Sequence, residues 1–154
     1  MKNIKILANI GLVLFPMYLM AQTPTETINQ FMDNWHKAAA NANEELFFGS
    51  MTEKGIYLGT DKTEKWTRDE MAEWAKEYFE EESAWAFTAT ERDVYFSEDG
   101  KTAWLYEKLD TWMGVCKGTA VLVMRPDGWK IALYDLSVTV DNNKIDKFLE
   151  LIKE

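Results

Sequence analysis

Along the first half of the chain apolar residues recur at a period near 3.6, and from Ala84 onward the period falls to two. That change separates a helical part from a stranded part. Ile28, Phe31, Met32, Trp35, Ala38 and Ala39 form one helix face. Thr23 as N-cap, Pro24 at the first helical position and Glu26 at the third mark the start of that helix with a capping box. Asn41 and Asn43 break it. Residues 44–51 read as a shorter helical piece, 55–60 as a short strand and 61–65 as a polar loop. Thr67 and Glu70 form a second capping box, opening a helix with Met71, Trp74, Ala75, Tyr78 and Phe79 on its apolar face. Glu80, Glu81 and Glu82 oppose the dipole at its end.

The period-two region predicts four strands, over residues 84–97, 102–111, 115–125 and 129–140. Their turns are Glu98-Asp99-Gly100, Trp112-Met113-Gly114 and Pro126-Asp127-Gly128, each with the glycine a tight hairpin needs. A last helix from about Asn143 is expected to bury Ile145, Phe148, Leu149 and Ile152. Helices followed by an antiparallel meander predict an α+β fold, with a curved sheet wrapped over the helices.

Pairing Arg125 with Trp129 and Thr111 with Val115 sets an expected register. One face then carries Leu105, Glu107, Lys117, Thr119, Val121, Val123, Ile131, Leu133, Asp135 and Ser137. The other carries Trp104, Tyr106, Cys116, Gly118, Ala120, Leu122 and Tyr134; a one-residue slip would exchange such sets. On the first face Glu107, Thr119 and Asp135 form a polar row, with Lys117 and Ser137 beside it. Such a row suits an apolar pocket with a few convergent polar groups. It equally suits a diagonal Glu107–Lys117 pair on a half-exposed sheet.

Residues 1–21 read as a secretory signal. Lys2 and Lys5 form a basic start, 6–20 are almost wholly apolar, and Ala21 is a plausible cleavage position. The expected mature domain is 22–154, exported to the periplasm or secreted, with no stable membrane insertion after cleavage. The competing reading, an uncleaved anchor, is weakened by the short apolar run and by Asn9 and Pro16. Loss of two lysines takes the net charge from −9 to −11. That charge disfavours nucleic acid and anionic membranes as partners. Cys116 is the single cysteine, so no intramolecular disulfide forms. One His and one Cys, far apart in sequence, argue against a metal site, and no cofactor is implied. Seven Trp, six Tyr and eight Phe supply material for a core, for an apolar pocket, or for both.

The chain resembles the SnoaL-like branch of the nuclear transport factor 2-like superfamily. The resemblance rests on the corner Leu58-Gly59-Thr60-Asp61 followed by Glu64 and Trp66, on Ala103-Trp104-x-x-Glu107, on Cys116-Lys117-Gly118-Thr119, and on Gly128-Trp129-Lys130-Ile131 with Leu136-Ser137. It implies a cone-shaped α+β barrel with a pocket between the helices and the concave sheet face, and a homodimer formed through the sheet. Relatives named by the resemblance include ketosteroid isomerases, polyketide cyclases, limonene epoxide hydrolase and scytalone dehydratase, beside pure binding modules. The family often places His or Asn on the closing strand. Leu133 and Asp135 stand there in this sequence, and Lys117 stands where Arg is usual. The lone His36, next to Trp35, reads as a surface or capping residue.

Two functions stay open. The first is binding of a small apolar molecule, with Tyr57, Trp66, Trp35, Lys117, Leu133 and Ser137 as candidate ligand contacts. The second is a pocket enzyme of isomerase, cyclase or hydrolase type, using Asp135, Glu107 or Asp61 as a carboxylate base. An ion-paired Glu107 would argue against that residue as the base.

Overall fold

The computed structural model describes residues 22–153, so the export signal expected over 1–21 lies outside the described residues. Both capping boxes form. Thr23 accepts from the Glu26 amide and Glu26 accepts from the Thr23 amide at the start of α1 (Pro24–Ala40). Thr67 and Glu70 do the same for α3 (Arg68–Phe79). Between them lie α2 (Glu44–Gly49), β1 (Met51–Leu58) and β2 (Lys65–Thr67). Then come β3 (Thr88–Phe96), β4 (Thr102–Thr111), β5 (Gly114–Arg125) and β6 (Gly128–Val138), and after a 3-10 turn at Asn142–Lys144 the short α4 (Ile145–Leu151). No helix among the described residues is long and apolar enough to cross a membrane.

The strands form one curved, unclosed sheet in the order β2-β1-β6-β5-β4-β3. Only β1 and β6 run parallel; their neighbours pair antiparallel. The helices cover one face. Ile28, Met32, Trp35 and Ala39 of α1, with Met71, Ala75 and Phe79 of α3, pack against Ala103, Leu105, Leu109, Cys116, Ala120, Leu122, Ile131, Tyr134 and Leu136. Non-directional burial of this apolar surface supplies the main stabilisation.

The β4–β5 register differs from the expected one by one residue. Gly114, not Val115, pairs with Thr111, and Gly128, not Trp129, pairs with Arg125. Both glycines hold positive φ, 87° and 115°, and so belong to the ladder as well as to the turn. The slip turns β5 over: Glu107 lies opposite Gly118, not Thr119. An irregularity at Ala132 then restores the expected partners Thr119–Asp135 and Lys117–Ser137. Cys116, Gly118, Ala120 and Leu122 therefore face the helices, as do Tyr134 and Leu136. Lys117, Thr119, Leu133, Asp135 and Ser137 face outward. Cys116 is thus on the same side as Glu107, contrary to the sequence-based assignment. The last helix also departs from expectation, since Ile145, Phe148, Leu149 and Ile152 are not buried.

This register predicts opposite responses at adjacent positions. Cys116→Asp places a charge in the core and is expected to cost more than about 3 kcal/mol. Lys117→Asp is expected to be neutral or slightly stabilising, because Lys117 faces Lys108 across the ladder. Urea unfolding of the two variants checks both.

Candidate functional site

Inward alternation along β4 gives Ala103, Leu105, Glu107 and Leu109, an apolar row with one carboxylate in it. Glu107 has no solvent exposure. Its Oε1 accepts from Nε2 of His36 and from the Tyr134 hydroxyl, each at 2.8 Å. Its Oε2 accepts from Nε of Arg92 at 2.8 Å. Nη1 of Arg92 continues to the Asp33 carboxylate at 2.8 Å and the Asn29 carbonyl at 3.0 Å. Among the described residues, Nη2 of Arg92 and Oδ1 of Asn29 are buried without a partner. Because the Tyr134 hydroxyl and the guanidinium can only donate to an ionised carboxylate, the histidine nitrogen facing Oε1 must carry a proton too.

Burial works to raise the Glu107 pKa. The hydrogen bond and charge of His36, the Arg92 guanidinium and the Tyr134 hydroxyl outweigh it and hold the carboxyl below its ordinary 4.5. Tyr134 moves the other way: burial first, then the Glu107 charge, push its hydroxyl well above 10.0. Gly118 makes the arrangement possible. A Cβ there would overlap the Tyr134 hydroxyl and the Glu107 side chain.

Beside this network a cavity of about 210 Å³ opens between α3, the 59–64 corner and the β4–β5 turn. Its walls are aromatic: Tyr57, Trp66, Trp74, Tyr78, Trp85, Phe87 and Trp112, with Met71, Met113 and Leu136. Trp66 and Trp74 stack with centroids 4.8 Å apart, Trp74 meets Tyr78 at 5.1 Å, and Tyr57 meets Trp66 at 6.3 Å. Tyr57 also stacks on Tyr134 at 5.5 Å, so cavity and network share a wall. Burial, and after it the Glu64 charge, raise the Tyr57 hydroxyl far above 10.0, which keeps it a neutral donor. Trp74 and Tyr78, expected on the apolar face of α3, are 45% and 46% exposed at the cavity. Two larger hollows, of about 700 and 610 Å³, lie around the β5–β6 turn. Their walls mix Asp127, Lys130 and Gly49 with surface groups, and neither touches the buried carboxylate. Among the described residues no group of three or more His, Cys, Asp or Glu side chains could hold a metal ion.

A model of the SnoaL-like domain matches residues 28–141. This chain belongs to the SnoaL-like domain family. Among solved structures, the SnoaL-like chain is similar to an NTF-2 like protein of unknown function from Shewanella oneidensis MR-1 (15% identity, 75% of this chain and 99% of that one, TM-score 0.62). A protein proposed as a ketosteroid isomerase from Parabacteroides distasonis ATCC 8503 is similar at 19% identity, over 80% and 92% of the two chains, with TM-score 0.62. A proposed aromatic ring hydroxylase from Novosphingobium aromaticivorans is similar at 17%, over 78% and 94%, with TM-score 0.62. At these identities the likeness concerns the fold, a cone-shaped α+β arrangement, and not the chemistry. No curated protein matches.

The SnoaL-like fold distributes the expected site residues over five places. Tyr57 and Trp66 line the cavity. Glu107 is in the closed network, without Lys117. Trp35 is core: it stacks on Phe47 at 4.6 Å and its indole N–H donates to the Phe47 carbonyl. Lys117, Leu133, Asp135 and Ser137 lie on the outer face, where the Ser137 hydroxyl bonds Asp135 at 3.2 Å. Asp61 is exposed, and the Thr63 hydroxyl and amide hold its pKa down. Three network members were missed. His36 follows Ile28 and Met32 at four-residue steps, which puts it on the buried face of α1 and not at the surface. Arg92 alternates inward with Val94 and Phe96 on β3. Tyr134 was assigned to the wrong face by the register slip.

With its folded pKa below the unfolded one, ionised Glu107 contributes stability that is complete above about pH 4.5 and is lost as pH falls through the lowered value. Glu107→Gln is expected to remove that part of the acid-side loss. At pH 7 it should cost about 3–5 kcal/mol, because the buried Arg92 loses the counter-charge at its Nε. Urea midpoints between pH 7 and pH 3 for both proteins check it.

Proposed function

We propose that this SnoaL-like domain binds a small, flat, largely apolar molecule in the aromatic cavity. The observation that carries this reading is that Glu107 is already engaged. Three buried donors hold it and keep its pKa below the ordinary value, so it is a poor general base at neutral pH. A volume of about 210 Å³ is below the ~300 Å³ lower end for drug-sized ligands. That suits a one- or two-ring molecule. Ring faces on several sides give stacking area, and the Tyr57 hydroxyl, with no hydrogen-bond partner among the described residues, supplies a polar handle.

In the alternative enzymatic reading, the carboxylate inside the cavity is Glu64, with Tyr57 as its neighbour; Asp135 on the outer face does not reach it. Indole is a suitable neutral probe. Calorimetric titration is expected to show binding to the wild type and a loss of about five- to tenfold in Trp66→Ala, which removes a cavity wall worth roughly 1–1.5 kcal/mol. Asp135→Asn is expected to bind as the wild type does. Binding lost in Asp135→Asn and kept in Trp66→Ala would sink the reading.

The proposal includes an exported homodimer. Tyr95, Trp104, Val121, Leu133 and Ile56 sit side by side across the outer face, and Tyr95 stacks on Trp104 at 6.2 Å. A second copy would cover this row. Light scattering is expected to give a dimer mass for the wild type and a monomer mass for Trp104→Glu; a wild-type monomer would contradict it.

A further inference from the structure

The aromatic walls of the cavity are continuous. Tyr57, Trp66, Trp74, Tyr78 and Trp85 meet one another in sequence, the last pair at 6.4 Å with rings tilted by 64°. Trp112 adds a sixth ring from the β4–β5 turn, 83% exposed. Aromatic rings carry a negative face, so an enclosure of them attracts cations and repels anions.

Charge in the cavity has one sign. Glu64 lines it, and no Lys, Arg or His does. Oε2 of Glu64 accepts the Asp61 amide at 3.0 Å, and among the described residues the carboxylate has no cationic partner. Gly59 lets it sit there, since a Cβ at that position would overlap the Glu64 side chain. A half-buried carboxylate held by one backbone bond, against aromatic walls and without a counter-charge, leaves acceptor capacity for a ligand. Glu80, Glu81 and Glu82, between the lining residues Tyr78 and Ala84 in the chain, are exposed. The whole chain carries −9, which raises the local concentration of cations at such a mouth.

Resting on the reading that the cavity binds a small apolar molecule, we infer that its ligand is an organic cation. The chemical class is a quaternary or tertiary ammonium on a small apolar body, with the onium group against the Trp66–Trp74–Tyr78 faces and Glu64 as its counter-charge. The apolar body fills the space toward Met71, Met113 and Leu136. An anionic ligand is disfavoured by Glu64 and by the ring faces alike. The onium needs no hydrogen-bond donor from the protein, in keeping with a cavity that offers few.

Choline and its uncharged isostere 3,3-dimethylbutan-1-ol test the charge alone, with indole as the neutral aromatic control. Calorimetry on the wild-type protein is expected to show choline binding about tenfold or more tighter than the isostere. In Glu64→Gln, which keeps an oxygen acceptor for the Asp61 amide, that ratio is expected to fall several-fold while indole binding stays. In Trp74→Ala both choline and indole are expected to weaken. Equal binding of choline and isostere overturns the cation assignment and leaves the cavity reading standing if indole binds; a preference undiminished in Glu64→Gln overturns Glu64 as the counter-charge. If none of the three probes binds the folded wild type, the cavity reading falls and the cation assignment falls with it.

Discussion

A carboxylate with no solvent exposure, held by three donors, fixes the geometry of this domain. Glu107 joins β4 to α1 through His36, to β3 through Arg92 and to β6 through Tyr134. Burying such a charge costs several kcal/mol, and the cost is offset only when the geometry of its partners is good. That requirement propagates outward. Gly118 must lack a side chain, His36 must sit on the inner stripe of α1, and the β4–β5 register must put residue 118 opposite residue 107. A network of this kind favours one arrangement of helix and sheet over near alternatives, a role polar cores can take in other folds.

The same commitment supports the proposal that function lies away from Glu107. A carboxylate held by Arg92, His36 and Tyr134 and kept below its ordinary pKa is a weak acceptor for a substrate proton. Acceptor capacity is left at the open end of the sheet, where Trp74, Tyr78 and Trp112 remain exposed and Glu64 has only one backbone bond. The inner end is closed and the outer end is left adaptable. A shared cone shape alone therefore does not name the ligand.

Much of the fold was legible because it follows from local rules. Both capping boxes, the buried face of α1 and the four late strands come from side-chain chemistry and period. The site was less legible because it hangs on register. Counting Gly114 and Gly128 as turn residues, when they also pair, shifts β5 by one and moves Lys117, Leu133, Asp135 and Ser137 to the wrong side. Compensation at Ala132 kept the β5–β6 partners right while their face was wrong, so internal consistency gave no warning. The 28–32–36 spacing puts His36 on the buried stripe of α1, a signal that its isolation as the single histidine obscures. The last helix failed for a different reason: its apolar stripe is real, but its residues stay exposed, and period alone does not say what a stripe packs against.

The most direct test of the account is the titration of Glu107 itself, followed by carbon NMR of its side-chain carboxyl in wild-type protein with Glu107→Gln as the assignment control. A single ionised signal is expected from neutral pH down to below 4.5, changing only as the protein begins to unfold. A carboxyl that titrates above pH 5 in the folded state would show a group poised to exchange protons. It would contradict the claim that the network is structural and that the functional end lies at the aromatic cavity.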